Sequence, residues 1–247
     1  LGRSAKGKPL VNLLQLQKDE RVQALLAVRS FDDVAGDHVL LVTRRGVVKK
    51  TTLDAYANPR LAAIIAITLA EDDKLISSGR TRAGPAVLLA ARNGQSIRFD
   101  ESQVRAMGRS AGGVRGMTLA EGDEVVGMEI LSPGATILTV TERGYGKRTP
   151  LEDYRIQRRG GQGIITIRTS ERNGPVIGVA QVVDDDDLML ITDGGKVLRC
   201  RVAGISTMGR ATQGVRVMDL EEGETLVAIA RLAEGDVAEG DGESGSA

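Results

Sequence analysis

Five arginines occupy one place in a recurring pattern: Arg3, Arg60, Arg109, Arg159 and Arg210. They lie 57, 49, 50 and 51 residues apart, and four positions beyond each the column reads Gly7, Ile64, Gly113, Gly163 and Gly214. A guanidinium is always charged and can grip two phosphate oxygens at once, while glycine lets backbone come close to a ligand. The fullest copy is Gln157-Arg158-Arg159-Gly160-Gly161-Gln162-Gly163. Its counterparts run from Gly2 through Arg3 and Lys6 to Gly7, from Gly108 to Gly113 and from Gly209 to Gly214, with Pro59-Arg60 heading the degenerate copy. Lys8 and Arg115 stand just beyond two of these loops. Taken singly, such a loop is either an anion-binding turn or a glycine-rich connection with solvated arginines. Recurrence at a fixed interval favours a rail of cations for a long polyanion.

A second basic column lies four residues after each of four further glycines, Gly46, Gly94, Gly144 and Gly195. It comprises Lys50, Arg98, Arg148 and Arg199, thickened by Lys49 and Lys147. These residues are candidates for phosphate contact. Charge on edge strands also protects against aggregation, and the two roles are compatible.

Other chemistry is not indicated. His38 is the single histidine and Cys200 the single cysteine, so no zinc-ligand spacing exists. The acidic run at residues 184–187 reads as a solvated turn rather than a Mg2+ site. No Ser/His/Asp set, paired-carboxylate motif or phosphate-loop signature occurs. Tyr56, Tyr145 and Tyr154 read as packing residues. The sequence indicates no catalytic residue, no metal and no cofactor.

The elements that carry these loops are strands. Residues 38–50, 86–98, 135–148 and 187–199 each show a short apolar run, a polar turn closed by glycine and a second strand, the pattern of a β-hairpin. Between the hairpins further strand pairs are expected at 11–16 with 21–28, 64–69 with 74–76, 116–119 with 124–128, 164–168 with 176–179 and 215–220 with 225–230. Acidic turns join most of these pairs, Glu71-Asp72-Asp73 and Glu121-Gly122-Asp123 among them. Residues 53–57 and 101–106 have room for one helical turn each. Four strands per unit of about 50 residues is the grammar of an all-β, propeller-like array of blades. About five blades are visible, over residues 1–231.

The chain has 247 residues, with 33 basic and 33 acidic side chains. The balance conceals an acidic end: after Arg231 come Glu234, Asp236, Glu239, Asp241 and Glu243 and no base. Without those five the body is left with an excess of positive charge. Residues 232–247 are rich in Gly, Ser and Ala and are expected to be a disordered tail that competes with phosphate. A lone cysteine fits a reducing compartment. No apolar run is long enough to span a bilayer, and the chain reads as cytoplasmic with no membrane partner. With five aromatic side chains and no Trp, base stacking cannot be a main device.

The loop 157–163 resembles the seven-residue signature box in the C-terminal domain of the bacterial DNA gyrase A protein, with Gln162 where that box usually carries Lys or Arg. The likeness extends through residues 7–14, 104–108, 144–148, 169–174 and 191–193. It implies a β-pinwheel whose blades exchange strands. It also implies a non-catalytic, DNA-binding and DNA-bending role: double-stranded DNA wraps the basic rim with low sequence specificity so that an ATP-dependent type IIA topoisomerase adds negative supercoils. The implied partners are the N-terminal cleavage domain of the same polypeptide and the gyrase B protein, in an A2B2 enzyme associated with the nucleoid. ATP, Mg2+ and the catalytic tyrosine belong elsewhere in that enzyme. The family's principal box lies near the start of its domain, so a first blade bearing it is expected upstream of Leu1, with 157–163 a second, box-like loop. The C-terminal domain of topoisomerase IV and a protein-interaction propeller are the alternatives; a propeller enzyme would need convergent polar residues at a central channel.

Overall fold

The apolar run of each hairpin is nearly continuous rather than alternating because both faces of the resulting sheet are covered. In the computed structural model, which describes residues 20–32, 34–57, 64–82 and 84–232, the hairpins are β1 (Asp37–Thr43) with β2 (Val47–Thr52), β4 (Ala86–Ala91) with β5 (Gln95–Asp100), β8 (Thr136–Thr141) with β9 (Tyr145–Pro150), and β12 (Asp187–Thr192) with β13 (Val197–Arg201). Leu89, Ile97 and Phe99 of the second hairpin bury against Leu40, Val42 and Val48 of the first. Leu88 and Ala90 turn the other way, to Ile137 of the third. Leu138 and Val140 in turn meet Leu188 and Leu190 of the fourth. Successive residues of one strand therefore serve two different cores, the period-two geometry of a strand between two neighbours.

Each hairpin gains a strand on one or both sides. On one edge stand β3 (Leu75–Arg82), β7 (Val125–Ile130), β11 (Val176–Val182) and β15 (Leu226–Leu232), paired with β1, β4, β8 and β12. These edge strands pack against one another from blade to blade and form the inner side of the array. On the outer edge stand the two-residue strands β6 (Val114–Arg115), β10 (Ile164–Ile165) and β14 (Val215–Arg216). They do not join the unit that follows them in sequence. β6 crosses back to β2, β10 to β5 and β14 to β9, so each outer strand is donated by the next unit. Among the described residues the result is three four-stranded sheets and one three-stranded sheet, β13-β12-β15.

The architecture is therefore the expected all-β, propeller-like one with exchanged strands. The expected helical turns are present, as 3-10 turns at Leu53–Tyr56, Glu101–Gln103, Leu151–Asp153 and Val202–Gly204. Two details differ from expectation. The outer strands have only two residues each: β6 stands just before the expected 116–119, and β10 and β14 take only the start of 164–168 and 215–220. Residues 20–28 and 64–69 form no strand, so among the described residues four sheets stand where about five blades were read. Residues 1–19 and 233–247, including Arg3, Lys6, Lys8 and the acidic tail, lie outside the described residues, as does Arg60.

The acidic turns are clasps. Asp123 Oδ1 accepts from the backbone N–H of Asn93 at 3.0 Å, in the hairpin turn of the neighbouring strand pair, and from Glu124 at 2.9 Å. Asp73 does the same for Arg45 and Lys74, at 3.0 and 2.8 Å. Removing one such acceptor leaves two donors unpaired. Asp123→Ala is expected to cost about 1–2 kcal/mol, read as a lower denaturation midpoint with an unchanged m-value.

Candidate nucleic-acid interface

The loop 157–163 lies across the outer edge of the second blade, just before β10. Gly160 and Gly163 have φ of +82° and +83°, and these two turns fold the chain back on itself. Gly160 N–H donates to Gly116 O at 2.6 Å, while Gly160 O and Gly161 O accept from the Thr118 hydroxyl and N–H at 2.7 and 2.9 Å. The amide of Gly160 is thus spent on the neighbouring unit rather than offered to an anion. What the loop presents is side chain.

The two arginines of the loop have different duties. Arg159 is half-buried; its Nε donates to Gln103 O at 2.8 Å and its NH1 to Arg115 O at 2.9 Å. Gln103 also accepts the Arg159 N–H on Oε1 at 2.8 Å and donates from Nε2 to Gln157 O at 3.3 Å. Arg158 is exposed, as is Arg115 on β6. Together Gln103, Arg115, Arg158, Arg159 and Gly160 line an open cleft of about 590 Å3 that contains three guanidinium groups and, among the described residues, no carboxylate. Gln162 faces elsewhere, toward a smaller cleft shared with Gln95 and Asp123.

Arg210 repeats the anchoring of Arg159, donating from NH1 to Ile165 O at 2.7 Å. Ile165 and Arg115 hold the same place in their outer strands. Arg159 and Arg210 therefore fasten their loops to the outer strand of the blade behind. Arg109, in the copy at 108–113, is half-buried.

Apart from Arg199, the second basic column lies inside the array. Lys50 is 8 % exposed and pairs with Glu101 at 3.1 Å. Arg98 donates to Leu151 O and Tyr154 O at 2.8 and 3.0 Å. Arg148 is 7 % exposed, donates to Ile205 O at 2.8 Å and pairs with Asp184. All three grip the 3-10 turn of the following unit or its next residue, so they are blade-to-blade fasteners rather than phosphate ligands. Arg199 is exposed and pairs with Asp187 on the adjacent strand. Lys49 and Lys147 are fully buried; their ammonium groups bond to protein oxygens and are out of reach of a phosphate. The acidic run is also not a solvated turn throughout: Asp186 and Asp187 are buried and pair with Arg231 and Arg199.

Two exposed arginines escape a reading of the sequence by its loops and hairpins. Arg105 and Arg155 lie 50 residues apart, each between a 3-10 turn and an arginine loop. Their spacing, equal to the repeat, is the signal that could have found them. The residues beside them, Ala106 and Ile156, bridge in parallel to Lys50 and Arg98.

Four-stranded blades that exchange their outer strand, each exchange preceded by a basic loop, define the pinwheel class of propeller-like domains. The family model of the DNA gyrase C-terminal domain, described as a beta-propeller, matches residues 1–29, 37–81, 86–132, 135–182 and 186–233. The chain belongs to that family. It is 45% identical to the DNA gyrase A protein of Salmonella typhimurium over 250 aligned residues, which cover 97% of this chain and 28% of that protein. It thus spans little more than a quarter of the length of such relatives. A solved structure of a DNA gyrase A C-terminal domain superposes with a TM-score of 0.82 at 25% identity, covering 92% of this chain and 75% of the other. The C-terminal domain of DNA topoisomerase IV gives 0.86 at 28% identity, with 93% and 72% covered.

Proposed function

We propose that this chain is a non-catalytic DNA-binding and DNA-bending domain that wraps duplex DNA along the outer edges of its blades, as the accessory part of an ATP-dependent type IIA topoisomerase of the gyrase kind. The observation that carries the reading is the cleft of Arg115, Arg158 and Arg159, three guanidinium groups on an outer edge with no acidic neighbour in its lining. Arg105 and Arg155 extend the same charge along the array. The partners that follow are double-stranded DNA, the cleavage domain of the same polypeptide and the gyrase B protein. The similarity to the topoisomerase IV domain favours a second reading, in which the same fold binds DNA but wraps it less.

Phosphate neutralisation makes the logarithm of the binding constant fall with the logarithm of salt, with a slope of about −0.9 for each phosphate engaged. Bending a site of 20–30 bp by 40–90° costs about 1–6 kcal/mol, so several loops must act together. The deciding experiment relaxes and reseals circular plasmid DNA with the domain bound. A shift in the linking-number distribution is the expected result. Salt-dependent binding with no shift would overturn wrapping and leave the topoisomerase IV-like reading.

A further inference from the structure

Beneath two of the arginine loops the structure buries a positive charge. Lys49 Nζ donates to Thr51 Oγ1, Ala66 O and Arg109 O, each at 2.7 Å. Lys147 Nζ donates to Thr149 Oγ1 at 2.9 Å, Gly209 O at 2.8 Å and Arg210 O at 2.9 Å. Every donor of each ammonium is used, and every acceptor is a neutral oxygen. In both cases one or two of these oxygens belong to the backbone of the loop that carries Arg109 or Arg210.

A buried ammonium bonded to no carboxylate among the described residues is costly, and the fold does not require it. The blade between these two carries Ile97 and Phe99 where the others carry Lys49 with Thr51 and Lys147 with Thr149. Ile97 and Phe99 are fully buried, and the loop above them is 157–163, whose Gly161 faces the Ile97 side chain. That loop is held instead by Gln103, from the 3-10 turn beside it. At the place of Gln103, the 3-10 turns one blade before the other two loops carry Ala55 and Asp153, and neither makes such a clamp. At this point each loop is therefore held in one of two ways, besides its other bonds: by a glutamine from the side over an apolar pair, or by a lysine from below.

We infer that Lys49 and Lys147 are positioning residues for the rim, fixing the backbone from which Arg109 and Arg210 reach the DNA, the part that Gln103 plays for Arg159. This rests on the DNA-binding reading above. Burial pushes the Lys147 ammonium down to about 8; the Arg210 guanidinium acts in the same direction and Asp153 against it. An anion held by Arg210 would offset that repulsion, which fits a lysine that supports a phosphate contact without making one.

The test uses the full chain with Lys147→Met, Arg210→Ala and the two combined. Lys147→Ile with Thr149→Phe is a second variant, which copies the pair of the middle blade and keeps the site filled if the methionine variant fails to fold. Binding to a duplex is titrated by anisotropy, and amide exchange is followed at residues 207–214 without DNA. The lysine variants are expected to weaken binding about as much as Arg210→Ala, roughly tenfold, with no further loss when combined, since residues acting as one unit are not additive. Exchange in the loop should rise by at least about tenfold, consistent with loss of the anchoring bonds. Full additivity with Arg210→Ala, or unchanged exchange, would overturn the inference. If Arg210→Ala itself binds DNA normally, it is the DNA path over this loop that fails, and the exchange data alone then decide whether Lys147 positions it.

Discussion

Replacing Arg115 and Arg158 together by alanine is expected to weaken duplex binding by about 100-fold at moderate salt, roughly tenfold or 1.4 kcal/mol for each lost contact. Both side chains are exposed and neither holds the fold, so the melting temperature should stay within about a degree or two of the parent. The log–log salt slope should become shallower by about 1.8, two phosphates at about 0.9 each. Arg159→Ala is expected to behave differently. It removes the bonds to Gln103 O and Arg115 O, so it should lower stability as well as affinity. The separation of these two effects is the informative result. A double variant with the parental salt slope would place the phosphates somewhere other than this cleft, and an equal loss of stability in both variants would make the cleft a structural feature.

Much of the fold was legible because the repeat imposes it. A hairpin declares itself within about a dozen residues through its apolar run and its glycine, and four copies at one spacing leave little choice but an array of blades. The donated outer strands were less legible. Two residues such as Val114 and Arg115 carry almost no periodic signal, and nothing local says whether they pair forward or back. The basic columns show the same limit more sharply. Arg159 and Lys147 look alike as charges in a sequence, yet one reaches a surface cleft and the other is sealed inside. The difference lies in acceptors 62 and 63 residues away for Lys147, at Gly209 and Arg210, and no spacing rule reveals those. Even within the box-like loop, sequence ranks Arg158 and Arg159 together, whereas the packing of Gln103 separates them into a free cation and an anchor.

The glycine that ends each loop carries the second large prediction. Gly163 sits at φ +83°, where an L-residue is strained by about 1–2 kcal/mol. A Cβ there would also overlap the carbonyl oxygen of Ser96 on β5, the strand to which β10 is donated. Gly113 and Gly214 meet the same obstacle, with Val48 O at 2.7 Å and Gly146 O at 2.8 Å from such a carbon. The backbone carbonyl cannot move aside without breaking the exchanged pair, so Gly163→Ala is expected to cost about 3 kcal/mol or more and to release the loop 157–163 from its blade. Two other glycines divide this effect into its parts. Gly122 has φ +74° with nothing within 4 Å of an added Cβ, so Gly122→Ala should show the conformational strain alone, about 1 kcal/mol. Gly161 has no positive φ, and its added carbon would make ordinary contact with Ile97 at 3.5 Å, so Gly161→Ala should fall within about 0.5 kcal/mol of the parent. Denaturant unfolding of the three variants should therefore rank Gly163 far above Gly122, and Gly122 above Gly161. If Gly163→Ala cost no more than Gly122→Ala, the outer strand would be free to shift, and the glycine column would reflect turn geometry rather than the close approach of one blade's donated strand to the next.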